Sequence, residues 1–329
     1  MRRNKQGYRQ NGFILIVVLG AVLMLSALLY GFNQATRTSL DKADGFYSAE
    51  QVWNSAWAGL QIAVAAIRDT EDLSADPKWA RLLDGGNTWP VGDGSCSLTV
   101  TEENGLLNIN HLKNADGQLN RKRIDQFLRL IDLVNGQQTD SERIGYGIVP
   151  GVIDWVDKDD EVTHLPFIQR ENTGAEYDYY ETRTPAYRCR NKPVDTIDEV
   201  LLVRGITPQG FGRLRPFLTC LGDGKININA APPLVIESLT EQIDGALARM
   251  IVSHRKLKPF GSTAELRNVP GMTDNVYLAM KDLITVAPTE RYYRVRSQGS
   301  TRTRKCAIEA LLRRNTQAGN VDIVSYREL

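Results

Sequence analysis

Two short stretches of this chain, 154–161 and 174–178, carry seven carboxylates between them. They run Val152-Ile-Asp154-Trp-Val-Asp157-Lys-Asp159-Asp160-Glu161 and then Gly174-Ala-Glu176-Tyr-Asp178. Hard divalent cations such as calcium take about six to eight oxygens, mostly carboxylate and carbonyl. Carboxylates this close repel one another, and a divalent ion relieves that repulsion. The spacing is not that of an EF-hand, because Val162 stands where the sharp turn needs glycine. The pattern therefore reads either as an irregular oxygen-donor site or as a solvated acidic loop. Asp154, beside Trp155, suits a local cap or hydrogen bond.

Other chemistry is sparse. His111, His164 and His254 are isolated, and no G-x-S-x-G, H-E-x-x-H or P-loop occurs. This argues against an enzyme. Cys96, Cys189, Cys220 and Cys306 form no C-x-x-C pair, which argues against zinc or thioredoxin-like chemistry. In an oxidising compartment, Cys189 with Cys220 and Cys96 with Cys306 are the preferred pairings, with four buried free thiols as the alternative. Net charge is +1, so no broad field points to nucleic acid or anionic lipid.

The elements that must carry the acidic loop begin at a membrane. Twelve polar residues with Arg2, Arg3, Lys5 and Arg9 precede twenty uncharged residues, Phe13 to Phe32, of which thirteen are Leu, Ile, Val or Phe. At about 1.5 Å per residue this stretch spans a bilayer core of roughly 30 Å. The basic leader keeps the N-terminus cytoplasmic and sends the body across. A secretory signal is cut after its apolar stretch. Here the small residue, Gly12, comes before it. Asn33 to about Arg68 has no proline, and Val52, Ala56, Leu60, Ala63 and Ile67 recur at helical spacing. One helix of about 55 residues is predicted, longer than a globular helix ordinarily runs.

Beyond it, 69–94 reads as polar loop with Trp79 and Trp89 packing beneath, and Ser95–Thr101 alternates like a strand. Gly105-Leu-Leu-Asn-Ile-Asn110 recurs as Gly224-Lys-Ile-Asn-Ile-Asn229. A second repeat aligns 196–219 with 262–285, sharing Glu199/Glu265, Val203/Val269, Gly205/Gly271, Thr207/Thr273 and Thr219/Thr285. Each copy reads as helix, tight turn at the glycine, helix, with Thr196 and Ser262 at the capping position. Pro232 and Pro233 suit a helix start at Leu234. Tyr292–Gln298 and Cys306–Leu312 read as strands joined by the basic 300–305 stretch. The tail, 315–329, reads as mobile.

The Gly12-Phe13 junction, with the apolar stretch retained after the cut, resembles the type IV prepilin signal of pilins and pseudopilins. Those proteins mostly carry Glu at the fifth residue after the cut; here it is Val17, with no acid in Phe13–Phe32. That apolar residue, the two G-x-[LI]-N-I-N units, the mid-chain insertion and Asp154-Trp-x-Asp-x-Asp followed by Gly-Ala-Glu together resemble the minor pseudopilin K family of type II secretion. The resemblance covers essentially the whole chain. It implies an α+β fold: a long helix, transmembrane in its first half, on a small antiparallel sheet, with a large α-helical domain inserted between strands.

The expected organisation is leader 1–12, transmembrane half 13–32, periplasmic half 33–68, first sheet portion 69–110, inserted domain 111–290, C-terminal strands 291–314 and tail 315–329. The resemblance further implies cleavage at Gly12-Phe13 by prepilin peptidase, methylation of Phe13, and a calcium ion on Asp157, Asp159, Asp160, Glu176 and Asp178. It also implies a place at the pseudopilus tip with minor pseudopilins I and J, and also H, next to the inner-membrane platform and the secretin. Two other readings share some features. A membrane-tethered helix-hairpin-helix DNA-binding protein needs a second hairpin glycine, where Thr207 and Thr273 stand. A minor pilin of a type IV pilus shares the leader and the long helix.

Overall fold

The computed structural model describes residues 9–70, 73, 76, 78–79, 81–85, 87–136 and 143–329. Helix α1 runs unbroken over Arg9–Asp69. Its apolar first half is exposed from Phe13 to Phe32, and by length and composition it can cross a membrane. Its second half lies on a five-stranded antiparallel sheet of β1 (Asn87–Val91), β2 (Gly94–Glu102), β7 (Glu290–Ser300), β8 (Lys305–Asn315) and β9 (Val321–Glu328), ordered β1-β2-β7-β8-β9. Ala56, Leu60, Ala63 and Ile67 bury against Leu98, Val100, Tyr293, Val295 and Ile308. The α1 and sheet backbones approach very closely. A Cβ on Gly299 would lie 2.1 Å from the Val52 carbonyl oxygen, and one on Gly59 would lie 2.2 Å from Ser297 Oγ. Ser297 Oγ in turn donates to the Ala56 carbonyl at 2.7 Å.

Between β2 and β7 the chain builds two helical units. The first contains β3 (Leu107–Asn108), α3 (Arg121–Asn135), α4 (Ile148–Val156), α5 (Tyr177–Glu181), α6 (Pro208–Leu214) and β4 (Leu218–Thr219). The second contains β5 (Ile226–Asn227), α7 (Pro233–Ser238), α8 (Gly245–Leu257), α9 (Asp274–Met280) and β6 (Ile284–Thr285). The short α2 (Arg81–Asp84) precedes β1. Each unit has its own core, and each is closed by a parallel two-strand pair, β3 with β4 and β5 with β6.

The repeated asparagines make the closures. Asn110 donates Nδ2 to the Val194 carbonyl at 3.1 Å and accepts from its N–H at 2.9 Å. Asn229 does the same to Phe260, at 3.0 and 2.9 Å. A side-chain amide can imitate a backbone pair in this way because it carries both donor and acceptor.

The helix-turn-helix repeats form as expected, with Gly205 at φ +81° and Gly271 at φ +89°, although the first helix of each is a 3-10 segment. Thr207 and Thr273 cap the second helices, accepting from Gly210 N–H at 3.0 Å and Val276 N–H at 3.4 Å. The amides of these turns are not arrayed toward a phosphate. The Arg204 N–H donates to Tyr180 Oη at 3.2 Å, and Pro270 has no N–H.

Several expectations change. The 315–329 segment is not a loose tail: β9 pairs along β8, with a bulge between Leu311 and Leu312. Part of the 69–94 stretch forms β1. Gly105–Asn110 belongs to the first helical unit, not to the main sheet. All four cysteines are free thiols. Cys96 and Cys306 both lie opposite Gly299, on either side of β7. Two interstrand spacings, roughly 9–10 Å, exceed disulfide reach. Cys189 and Cys220 are turned to different carbonyls, those of Asp154 and Asp195, each at 3.5 Å.

Candidate functional site

Helix α4 presents the first acids. Its sequence, Ile-Val-Pro-Gly-Val-Ile-Asp-Trp-Val, is buried at every residue, so Asp154 enters the interior with its apolar neighbours. Asp157 follows at the C-cap, its N–H donating to the Ile153 carbonyl at 3.0 Å. The chain then loops out and returns. Thr163 N–H donates to Asp154 Oδ1 at 2.9 Å, and Gly174 N–H donates to the Thr163 carbonyl at 2.9 Å. Gly174 is required by contact: a Cβ there would lie 2.0 Å from Asp154 Oδ2 and 2.6 Å from the Pro150 carbonyl oxygen. This return seats Glu176, the residue before α5, at 5% exposure. Tyr180 of α5 packs edge-on to Trp155 with centroids 5.1 Å apart, which fixes α5 on α4.

The result is a set of buried acceptors that lack good donors. Asp154 Oδ2, Asp157 Oδ1 and both Glu176 oxygens have no hydrogen-bond partner, and only the Cys189 thiol, a weak donor, lies beside Glu176. Burial, and then the charges of Asp154 and Asp157, push Glu176 up to about 8. Burial likewise pushes Asp154 up to about 6, opposed by its bonds to Thr163 and raised further by Asp157. Asp157 is raised by burial although Lys113 Nζ sits 2.6 Å from its Oδ2. A cluster of carboxylates held above their ordinary range is the electrostatic condition that a cation relieves.

Of the residues expected as ligands, Asp160, Glu176 and Asp178 line one cleft of ≈ 760 Å³, together with Cys189 and Asn191. Asp160 Oδ1 accepts from Asn191 Nδ2 at 2.7 Å. Asp178 is exposed in the first turn of α5. Asp157 and Asp159 turn instead to Lys113, at 2.6 and 3.2 Å. Asp154 makes the local bond expected of it, and its other oxygen joins the buried set. Among the described residues no three His, Cys, Asp or Glu side chains converge into one coordination sphere. The donor chemistry suits a hard cation, and the buried oxygens without donors supply the reason to bind one. Lys113 and Cys189 were not apparent in the sequence, because nothing in their local spacing marks them as neighbours of acids 44 residues after the one (Asp157) and 13 residues before the other (Glu176).

The chain resembles known proteins along most of its length. Residues 105–223 match a family model for the first domain of type II secretion system protein K, and residues 226–287 match the model for protein K of the same system. These matches coincide with the two helical units. Type II secretion system protein K of Pseudomonas aeruginosa is 26% identical over 323 residues, covering 93% of this chain and 89% of the relative. The proteins of that name from Klebsiella pneumoniae and Aeromonas hydrophila are 23% and 24% identical, covering 80% and 68% of this chain. One chain of the solved GspK-GspI-GspJ complex from enterotoxigenic Escherichia coli superimposes with a TM-score of 0.61 at 17% identity, covering 89% of this chain and 99% of that one.

Proposed function

Because this chain belongs to the type II secretion system protein K family and is a minor pseudopilin of type II secretion, we propose that it caps the pseudopilus tip and starts assembly with minor pseudopilins I and J. The observation that carries this reading is the placement of the two helical units between β2 and β7 of a helix-on-sheet body. A filament of such bodies stacks through their long helices, and an insertion larger than the sheet leaves no room for a subunit above. The absence of any acid in Phe13–Phe32 supports the same place, since a subunit without one above it has no incoming amine to pair.

In this reading α1 anchors the chain in the inner membrane before assembly, with its N-terminus cytoplasmic and its body periplasmic. Prepilin peptidase cuts at Gly12-Phe13 and methylates Phe13. Gly12 and Phe13 fall in the helical start of α1, and the leader up to Tyr8 lies outside the described residues. The protein acts by assembly and not by catalysis. The role of each histidine supports this: His111 packs at Gly222, His164 lies in a strand bridge, and His254 stacks on Phe260 at 5.0 Å.

Calcium, when bound, would neutralise the acidic loop and hold it on α4. Glu176, Asp160, Asp178, Asp157 and Asp159 are the residues we assign to hold it, with Asp154 added from its buried, donorless oxygen. Two measurements test the proposal. Mass spectrometry of the mature protein should find methylated Phe13 first; an intact Met1 removes the processing step. Co-purification with I and J should yield a complex in which this chain is present once per filament end, and recovery along the filament shaft would refute the tip assignment.

A further inference from the structure

Two arginines lie buried side by side at one end of the sheet. Arg291 of β7 and Arg314 of β8 stand directly opposite each other, at 7% and 5% exposure. They share the face that carries Tyr293 and Leu312 into the core under α1, because side chains alternate along a strand. Opposite residues on one face hold their Cβ atoms about 4.5–5.5 Å apart, and like charges there repel. Burial, and then Glu102, push the Tyr293 phenol up, while Arg291 and Arg314 both oppose them, so both guanidiniums sit near one hydroxyl. Among the described residues Glu102 is the acid that meets this pair. Its Oε2 stands 3.5 Å from Arg291 Nη1, and its Oε1 accepts from Asn227 Nδ2 at 2.6 Å. Asp69, at the end of α1, turns to Lys78 and Trp79, and Glu290 accepts from Tyr292 Oη. Arg314 Nε and Nη1 have no hydrogen-bond partner among the described residues. Two buried cations against one shared carboxylate leave a positive charge in excess, and a buried charge without its counter-ion is costly.

A cleft of ≈ 290 Å³ adjoins the pair, walled by Arg291, by Ala287, Pro288 and Thr289, and by Thr316 and Gln317. Among the described residues no carboxylate lines it. Its volume is room for about ten waters at about 30 Å³ each. The two walls belong to different parts of the molecule. Residues 287–289 carry the chain from β6 of the second helical unit into β7, and Thr316 and Gln317 lie in the turn between β8 and β9. Thr316 links them, its Oγ1 donating to the Thr289 carbonyl at 2.6 Å. A guanidinium presents its N–H groups as a planar fork that matches two oxygens of one anion. We propose that Arg291 and Arg314 form the base of a site for a small oxyanion of the phosphate or sulfate class, which enters by this cleft and ties the start of β7 to the β8–β9 turn. Such an ion supplies the charge that Glu102 cannot, and it relieves the repulsion between the two arginines.

The test uses the full-length protein in detergent and calcium-free chloride buffer at constant ionic strength, with inorganic phosphate and then sulfate as probes. Each should raise the melting temperature saturably at millimolar concentration, as a ligand of the folded state does. Exclusion of these salts from the surface would instead give a rise that never saturates. Phosphate should also slow hydrogen exchange at 287–291 and 314–320. Arg314→Met, which keeps an apolar stem without the charge, should bind phosphate about tenfold more weakly. Arg302→Gln, in the exposed turn between β7 and β8, should keep the full response. Glu71 and Asp72, which follow α1, lie outside the described residues, so the double variant Glu71→Gln, Asp72→Asn is included. A rise that never saturates overturns the proposal, and so does a response that Arg314→Met retains. Saturable binding that appears only in the double variant also overturns it, because the chain's own acids would then fill the pair. Should Arg314→Met fail to fold, the exchange measurement on the unaltered chain decides: no added protection at 287–291 and 314–320 overturns the site. These outcomes are independent of the tip reading, which rests on processing and on co-purification with I and J.

Discussion

With both oxygens buried and Asp154 and Asp157 nearby, Glu176 holds its proton until about pH 8 instead of its ordinary 4.5. The folded value lies above the unfolded one, so the folded chain binds the proton more tightly. Stability from this group is full below about pH 4.5 and is lost as pH rises through 8. Asp154 adds the same trend up to about 6. In chelator, the melting temperature should therefore fall between pH 5.5 and pH 8.5, and calcium should restore it at the upper end. Glu176→Gln should flatten that pH dependence, raise stability in chelator by about 1–2 kcal/mol, and shrink the calcium-induced shift. An unchanged melt on chelation at pH 8 would argue against a cation in the loop. The acids of this site were legible in the sequence because they are dense. Their burial was not. It depends on Gly174 closing on Asp154 and on Lys113 arriving from the β3 side, contacts between segments that share no local pattern.

Each helical unit is closed by one asparagine, and that role illustrates what periodicity leaves unread. The G-x-[LI]-N-I-N repeat was visible, but Asn110 and Asn229 bond to the backbones of Val194 and Phe260, which have no side-chain signature. For the same reason β9 passed for a tail: the bulge opposite Leu311 and Leu312 breaks the alternation of Val321, Ile323, Val324 and Tyr326. The long α1, by contrast, was legible from Phe13 to Arg68 because no proline interrupts it and its apolar positions from Val52 to Ile67 keep helical spacing. Asn229→Ala should remove two buried bonds and cost about 1–3 kcal/mol, with faster hydrogen exchange in α8 and β5 and little change in the first unit. Close approach sets a second test at α1. Gly299→Ala puts a methyl 2.1 Å from the Val52 carbonyl oxygen and 2.7 Å from the Ala56 nitrogen, so α1 must shift, at about 1–3 kcal/mol in denaturant unfolding. Gly212→Ala, in α6 with nothing within 4 Å, should instead be neutral or stabilise by about 0.5–1 kcal/mol.

The molecule as a whole is a sheet-and-helix body joined to the helical units by a polar seam. Arg327 of β9 reaches Asp198 at 2.6 Å and Glu309 at 2.8 Å, while Arg215 reaches the same two acids at 3.2 and 3.1 Å. Nearby, Asn104 holds the Tyr292 N–H at 2.7 Å and the Glu290 carbonyl at 2.9 Å. On the proposed tip placement, a push from below reaches whatever the helical units meet only if this seam stays shut. Alternating charges of this kind differ from an apolar core in one measurable respect: salt screens them. The screening length falls to about 3 Å at 1 M. Arg327 is half exposed, so each of its pairs should contribute only about 0.5–1 kcal/mol. Arg327→Ala should therefore leave the overall melt nearly unchanged and speed hydrogen exchange in Val321–Glu328, while β2 and β7 stay protected. High salt should reproduce that pattern in the unaltered protein and add little to the variant. Uniform exchange across all five strands would mean that β9 is held by its backbone pairing with β8 alone, and that the charges across the seam do not set the angle between the two parts.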